Sequence, residues 1–236
     1  MLEVAIRSKS YAVAGGGRLQ ALGEVAFSVG TGEFVCLTGP SGCGKTTTLR
    51  LVLGLEGEFE GTVARADGRV AAAFQEPRLL PWRTVEDNIR LALPPELADT
   101  DLDPLYATLG IAGAGRLYPG ELSLGMARRA SLARAFAVEP SLLLLDEPFV
   151  SLDEATGARL RALLMEVWQA RPTEALMVTH NLREAAELAD RIVVLSARPG
   201  RVLGVHAIAT PRHERDAATI DAIVREVVRL TPFGQP

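Results

Sequence analysis

The sequence predicts an α/β fold in which short buried strands alternate with helices around one glycine-rich loop, and three stretches of its 236 residues predict it. The first is Glu33-Phe34-Val35-Cys36-Leu37-Thr38, a strand-length apolar run that leads into Gly39-Pro40-Ser41-Gly42-Cys43-Gly44-Lys45-Thr46, with a helical pattern from Thr46 to Leu53. The second is Leu142-Leu143-Leu144-Leu145, which is wholly apolar, as befits a central strand buried on both faces. The third is the return to strand pattern at Ala175-Leu176-Met177-Val178-Thr179 and Arg191-Ile192-Val193-Val194-Leu195, with a short helix from Asn181 to Leu188 between them.

Taken in order, residues 1–34 carry short alternating strands, Val4-Ala5-Ile6 and Ala26-Phe27-Ser28-Val29, broken by Gly15-Gly16-Gly17 and Gly30-Thr31-Gly32. This pattern predicts a small antiparallel sheet. Tyr11 is the only aromatic residue before Phe27, and it can stack on a purine ring or pack on the sheet. The loop from Gly39 to Thr46 fits G-x-x-x-x-G-K-[ST] between a strand and a helix. Its backbone can curl until several N–H groups point at one anion, and the helix start adds partial positive charge. ATP with Mg²⁺ is the expected ligand, Lys45 reaching the β- and γ-phosphates and the Thr46 hydroxyl ligating the metal.

Gly61-Thr62-Val63 and Val70-Ala71-Ala72-Ala73-Phe74 read as strands, the second ending at Gln75. An amide beyond a strand's carboxyl end is placed to meet Mg²⁺ or an attacking water, since ligands gather at that edge of an α/β sheet. Residues 76–140 change character: Pro77, Pro81, Pro94, Pro95 and Pro104 punctuate short helical patterns, which predicts an inserted, mostly helical subdomain. Near its end Ser123 suits the N-cap of an alanine-rich helix running through Phe136. The apolar strand at 142–145 ends in Asp146-Glu147, adjacent carboxylates that are costly to desolvate unless they serve a cation or a proton transfer. Asp146 is the expected metal ligand and Glu147 the expected polariser of water. Ser151-Leu152-Asp153 reads as a turn and helix start, with the helix running through Arg159 to Gln169. His180 follows the next strand, where its ring can hydrogen-bond a phosphate or serve the fold. Val202 to Ala209 reads as a last hairpin strand, and Ile220, Ile223, Val224, Val227 and Val228 mark one face of a C-terminal helix.

Composition narrows the function classes. Lys and Arg total 25 against 29 Asp and Glu, a net charge of -4 that speaks against a nucleic-acid coat or a polybasic membrane anchor. No apolar run approaches the roughly 18 residues of a membrane span, and the start lacks a signal peptide's plan, so work at a membrane is expected to go through a protein partner. Two cysteines, Cys36 and Cys43, do not complete a zinc shell and are expected as small filler residues.

In this order the pieces resemble the nucleotide-binding subunit of an ATP-binding-cassette (ABC) transporter over nearly the whole chain. Gly39 to Thr46 matches its Walker A loop, Gln75 its Q-loop, Leu122 to Met126 its signature, Leu142 to Glu147 its Walker B strand, Ser151-Leu152-Asp153 its D-loop and His180 its switch histidine. The resemblance implies one ABC ATPase domain over residues 1–236: a P-loop NTPase fold with a mixed central sheet, an N-terminal antiparallel β subdomain and the helical insertion. It implies nucleotide contacts from Tyr11, from Gly39 through Thr46, and from Thr47. Catalysis would fall to Glu147, His180 and Gln75, and Mg²⁺ to Thr46, Gln75 and Asp146.

It further implies a head-to-tail pair, with a second identical copy favoured and a mixed pair open. There Ser123 and Gly125 of one subunit would meet the γ-phosphate held by the other. The expected partners are integral-membrane permease subunits, with a periplasmic or surface solute-binding protein acting indirectly. The expected place is the cytoplasmic face of the inner membrane, held peripherally. Two positions depart from the signature, Leu124 for the first glycine and Met126 for the glutamine, and Asn181 stands where an aspartate often follows the histidine. A Leu124 side chain pointing away would leave two working sites; one pointing inward would weaken the site this signature serves. Ser123, Gly125, Glu147 and His180 favour ordinary activity.

The stretch Gln75-Glu76-Pro77-Arg78-Leu79-Leu80-Pro81-Trp82-Arg83-Thr84-Val85 with Asp87-Asn88-Ile89, and later Ser196-Ala197-Arg198-Pro199-Gly200-Arg201, is similar to importers of the nitrate, sulfonate and taurine group. Leu79, Leu80 and Trp82 are expected to line a groove for a permease helix or to pack inside the helical subdomain. The rival readings are a soluble ABC-type ATPase of DNA repair or translation, and a small-molecule kinase using the same phosphate loop.

Overall fold

The computed structural model describes residues 1–13 and 15–231, which form ten β-strands and seven α-helices in two compact units. The first unit is Met1–Ala66 with the described residues from Glu174 onward, and the second is Asp67–Thr173.

In the first unit, β1 (Leu2–Ala12) pairs antiparallel with β2 (Arg18–Leu22), β3 (Val25–Val29) and β5 (Phe59–Ala64). Leu2, Val4 and Ile6 are buried while Glu3, Ala5 and Arg7 are exposed, the period of two that a half-covered strand demands. The strand runs well beyond the Val4–Ile6 core legible in the sequence because partners on both edges take up its backbone groups. The mixed sheet of this unit centres on β4 (Phe34–Thr38), every residue of which is buried. It lies between β8 (Glu174–Val178) and β9 (Arg191–Leu195), parallel to both, and β10 (Val202–Ala207) closes the edge antiparallel to β9. Helices α1 (Lys45–Leu53), α6 (Leu182–Leu188) and α7 (Ala217–Arg229) complete the unit. Ile223 and Val227 bury the apolar face of α7, which packs on α6. Arg215 donates to the carbonyls of Ala186, Glu187 and Ala189 at 2.9, 3.2 and 2.8 Å, satisfying acceptors that the end of α6 would otherwise orphan.

In the second unit, β6 (Val70–Ala73) runs parallel to β7 (Leu142–Asp146). Around them stand α2 (Val85–Arg90), α3 (Asp103–Thr108), α4 (Leu124–Ala137) and α5 (Glu154–Ala170), with α4 in contact with the other three helices and β6. Each long helix starts where a side chain can take its first free N–H groups. Ser123 caps α4, Asp153 caps α5, and Thr84 forms a capping box with Asp87 on α2. The Asp153 cap is why α5 begins at Glu154, a turn before the pattern around Arg159 becomes clearly helical.

One buried charge in α4 is incompletely paired among the described residues. Arg128 is 6% exposed, and its Nε and Nη1 find no hydrogen-bond partner among the described residues. Burial alone lowers its pKa. Arg128→Leu keeps the apolar stem and removes the desolvated cation, so it is expected to stabilise the protein by about 1 kcal/mol. A rise in the urea midpoint at constant slope would confirm this, whereas a fall would mean the guanidinium is satisfied.

Candidate functional site

The phosphate loop is held by what precedes and follows it. The buried β4 delivers the chain to Gly39, and α1 begins at Lys45. Gly44 stands at the N-cap with φ 101, and no side chain caps the helix, so its first N–H groups are left to another acceptor. An added Cβ at Gly44 would sit 2.2 Å from Leu22 Cδ2, so the position excludes any side chain. Lys45 is only 6% exposed; its ammonium donates to the carbonyls of Gly39 at 2.8 Å and Pro40 at 3.1 Å, folding over the loop it is expected to serve. Cys43 and Cys36 are free and buried, and burial raises both thiol pKa values, which keeps them protonated and unreactive near neutrality.

Parallel pairing of β4 with β8 sets Leu37 opposite Val178, so the loop and His180 leave the same edge of adjacent strands. His180 is exposed. Asn181 is the N-cap of α6: its Oδ1 accepts from the N–H groups of Arg183 and Glu184, while its Nδ2 donates to Glu184 Oε1 at 3.1 Å. An aspartate could not make that last bond beside a carboxylate, which gives the asparagine a structural reason. The Tyr11 hydroxyl donates to Glu56 and lies 3.4 Å from Thr47 Oγ1; Lys9 Nζ stands over the ring, 4.8 Å from its centroid. The ring is thus fixed beside α1 with one face already covered.

The second unit brings together Gln75, Asp146 and Glu147. Ala73 pairs with Leu145 across β6 and β7, so Gln75 and Glu147 each stand two residues beyond the same paired rung. Asp146 is 7% exposed and ends β7. Glu147 adopts φ 45, a left-handed backbone that a side chain tolerates only at a cost and that concentrates at functional sites. Ser123 Oγ accepts from Met126 N at 3.2 Å, which leaves its O–H free to donate elsewhere. Leu124 opens α4 with its side chain 48% exposed, and a Cβ on Gly125 would meet Thr156 Cγ2 at 3.4 Å, so that glycine faces α5.

Two supporting residues were silent in the sequence. Asn88 is buried; its Oδ1 accepts from Leu80 N–H, and its Nδ2 donates to the carbonyls of Leu80, Arg83 and Thr84. Arg134 donates to the carbonyls of Pro77 and Arg78, both at 2.8 Å. Together they staple the segment after Gln75 to α2 and α4. Asn88 stood within a family-like stretch, but nothing local marked its partners. The loop they hold presents Trp82 at 70% exposure, with Leu79 and Leu80 partly covered, so Trp82 is not a packing residue of the helical subdomain.

The described residues contain no group of three or more His, Cys, Asp or Glu able to hold a metal. The donors expected for Mg²⁺, Thr46, Gln75 and Asp146, are hard oxygen ligands too few for a complete shell. That fits an ion which arrives with phosphate oxygens and water.

The family model described as ABC transporter matches residues 22–150. The aliphatic sulfonates import ATP-binding protein SsuB 2 of Burkholderia lata is 43% identical over 226 residues, covering 92% of this chain and 81% of the relative. SsuB of Bacillus licheniformis is 36% identical over 236 residues, covering 96% and 92%. Among solved structures, the dimeric bacterial ABC transporter cassette MJ0796 matches with a TM-score of 0.77 and 26% identity, over 89% of this chain and all of that one. The same cassette in a post-hydrolysis state bound to ADP and Pi matches at 0.72, also 26% identical, over 86% and 99%.

Proposed function

The chain belongs to the ABC transporter family, and on that premise we propose that it is the ATP-binding and ATP-hydrolysing subunit of an importer for aliphatic sulfonates. The names of the relatives in Burkholderia and Bacillus support the substrate class, which narrows the nitrate, sulfonate and taurine group expected from the sequence. The observation that carries hydrolysis is Glu147, a carboxylate held in strained backbone just beyond the buried Asp146.

In this reading Lys45 exchanges the carbonyls of Gly39 and Pro40 for the β- and γ-phosphates, while the loop backbone from Gly39 to Thr46 and the α1 N-terminus cradle the anion. Tyr11 would stack the base on the face opposite Lys9, and Thr47 lies beside it. Thr46, Asp146 and Gln75 would ligate Mg²⁺, directly or through water, and the ion would neutralise developing phosphate charge. Glu147 polarises the water that attacks the γ-phosphorus as the bond to the β–γ bridging oxygen breaks, giving ADP and phosphate. His180 hydrogen-bonds the γ-phosphate.

Two copies pair head to tail. Ser123, whose oxygen accepts from its own helix, donates its O–H to the neighbour's γ-phosphate, with Gly125 behind it. The exposed Leu124 side chain is compatible with two equal active sites. In this reading the protein sits peripherally at the cytoplasmic membrane face, held by its permease, as the import ATP-binding names of its relatives suggest.

Trp82 would be the anchor for that permease, because an exposed indole on a stapled loop is the kind of residue that dominates an interface. Trp82→Ala is expected to leave basal ATPase within about twofold while cutting transport on the order of tenfold or more. Loss of folding together with transport would overturn the anchor role. The function itself is tested in proteoliposomes holding this chain with the permease and solute-binding protein of an aliphatic-sulfonate importer. ATP hydrolysis should rise when an alkanesulfonate is supplied. A response to nitrate alone would reassign the cargo.

A further inference from the structure

The turn from Ser196 to Arg201, similar in sequence to a stretch of related importers, has no part in the chemistry above, yet it lies against the outer side of the phosphate loop. Arg198 Nε donates to the Gly42 carbonyl at 3.1 Å, across 156 positions of sequence. A Cβ added to Gly200 would come within 2.0 Å of the Cys43 carbonyl oxygen. Two consecutive carbonyls of the loop are therefore turned toward one short segment.

That segment is itself rigid. Ser196 N donates to the Arg201 carbonyl at 2.8 Å, and Ser196 Oγ accepts from Arg201 N at 3.0 Å. Gly200 bonds in both directions with the end of β2, its N–H to Ala21 O at 3.0 Å and its carbonyl from Gly23 N at 2.8 Å. Leu22, between those two, fills the space that a side chain on Gly44 would need.

A trans peptide points its C=O and N–H in opposite directions. With the Gly42 carbonyl held by Arg198 and the Cys43 carbonyl packed against Gly200, the N–H groups of Cys43 and Gly44 are turned the other way, and the Cys43 N–H meets the Pro40 carbonyl at 3.2 Å. We propose that the Ser196–Arg201 turn is a positioning element for nucleotide binding: Arg198 and Gly200 hold the outer face of the phosphate loop and so aim its N–H groups at the phosphates. This rests on the reading of Gly39–Thr46 as the nucleotide site. Arg198 is a positioning residue, acting through the backbone of Gly42; its exposed guanidinium also polarises that peptide, which strengthens the bond from the Cys43 N–H to the Pro40 carbonyl that curls the loop.

The test compares ATP binding and turnover in the parent protein, Arg198→Ala, Arg198→Lys and Gly200→Ala. Arg198→Ala is expected to weaken ATP binding about tenfold, the scale of one charge-assisted hydrogen bond, with kcat at saturating ATP within about twofold. Its Tm without nucleotide should stay within about 2 °C of the parent. Arg198→Lys, which restores a charged donor, should recover most of the affinity. Gly200→Ala should bind ATP more weakly still; if it fails to fold, the Arg198 pair decides. Parent-like ATP affinity in Arg198→Ala would overturn the proposal. So would a joint fall of kcat and Tm that lysine does not repair, since that marks a merely structural residue. A parent protein that does not bind ATP at all would instead remove the nucleotide reading itself.

Discussion

Glu147→Gln is expected to lower ATP turnover by about 10² to 10⁴-fold while leaving ATP affinity near the parent value. That range is what a positioned general base contributes, and the amide is isosteric but cannot take the water's proton. Because the substitution keeps the side chain's shape, the left-handed backbone at this position should survive it. Removing hydrolysis also removes the step that reopens a nucleotide-bridged pair, so the variant should accumulate as a dimer in excess ATP and magnesium. Single-turnover phosphate release measures the first effect and size-exclusion chromatography the second. A variant that hydrolyses normally would take the role from Glu147. One that stays monomeric, even with its permease supplied, would remove the head-to-tail pair.

Lys45→Met carries the second large effect, a loss of ATP affinity of about 10² to 10³-fold. The ammonium would contribute charge-assisted bonds to two phosphates, each worth roughly 1.5–3 kcal/mol. Methionine replaces the buried stem, so the variant should fold, although the carbonyls of Gly39 and Pro40 lose their donor. That loss should cost about 1–2 kcal/mol, visible as a lower denaturation midpoint. Isothermal titration against ATP reads the affinity directly. Binding near parent strength would show that the loop backbone carries the phosphates without the lysine.

Much of the architecture could be read locally. A run such as Leu142–Leu145 has few options but a buried strand, and β7 is buried at each of its five residues. Ser123 announces a helix start because a cap acts over three residues, and it caps as expected; Ser151-Leu152-Asp153 read as a turn and helix start, and there Asp153 supplies the cap. The place of Asp146 and Glu147 just where a buried strand ends was legible for the same reason. The long β1 was less so, since its second half is held by pairing with β2 and β5 rather than by its own alternation. Asn181 also illustrates the limit: in the sequence it is only a departure from a family pattern, while in the fold its amide makes a bond to Glu184 that a carboxylate would refuse.

By itself the sequence determined the strand and helix alternation, the phosphate loop with Lys45, and the residues that stand at strand ends, because each depends on forces acting within a few residues. Only the tertiary structure decided that Asn88 and Arg134 staple the segment after Gln75, and that Trp82 stands in solvent above it. It alone set Arg198 and Gly200 behind Gly42 and Cys43. The reason is that backbone carbonyls look alike in every sequence, and which distant donor each one meets is fixed only when the chain has folded.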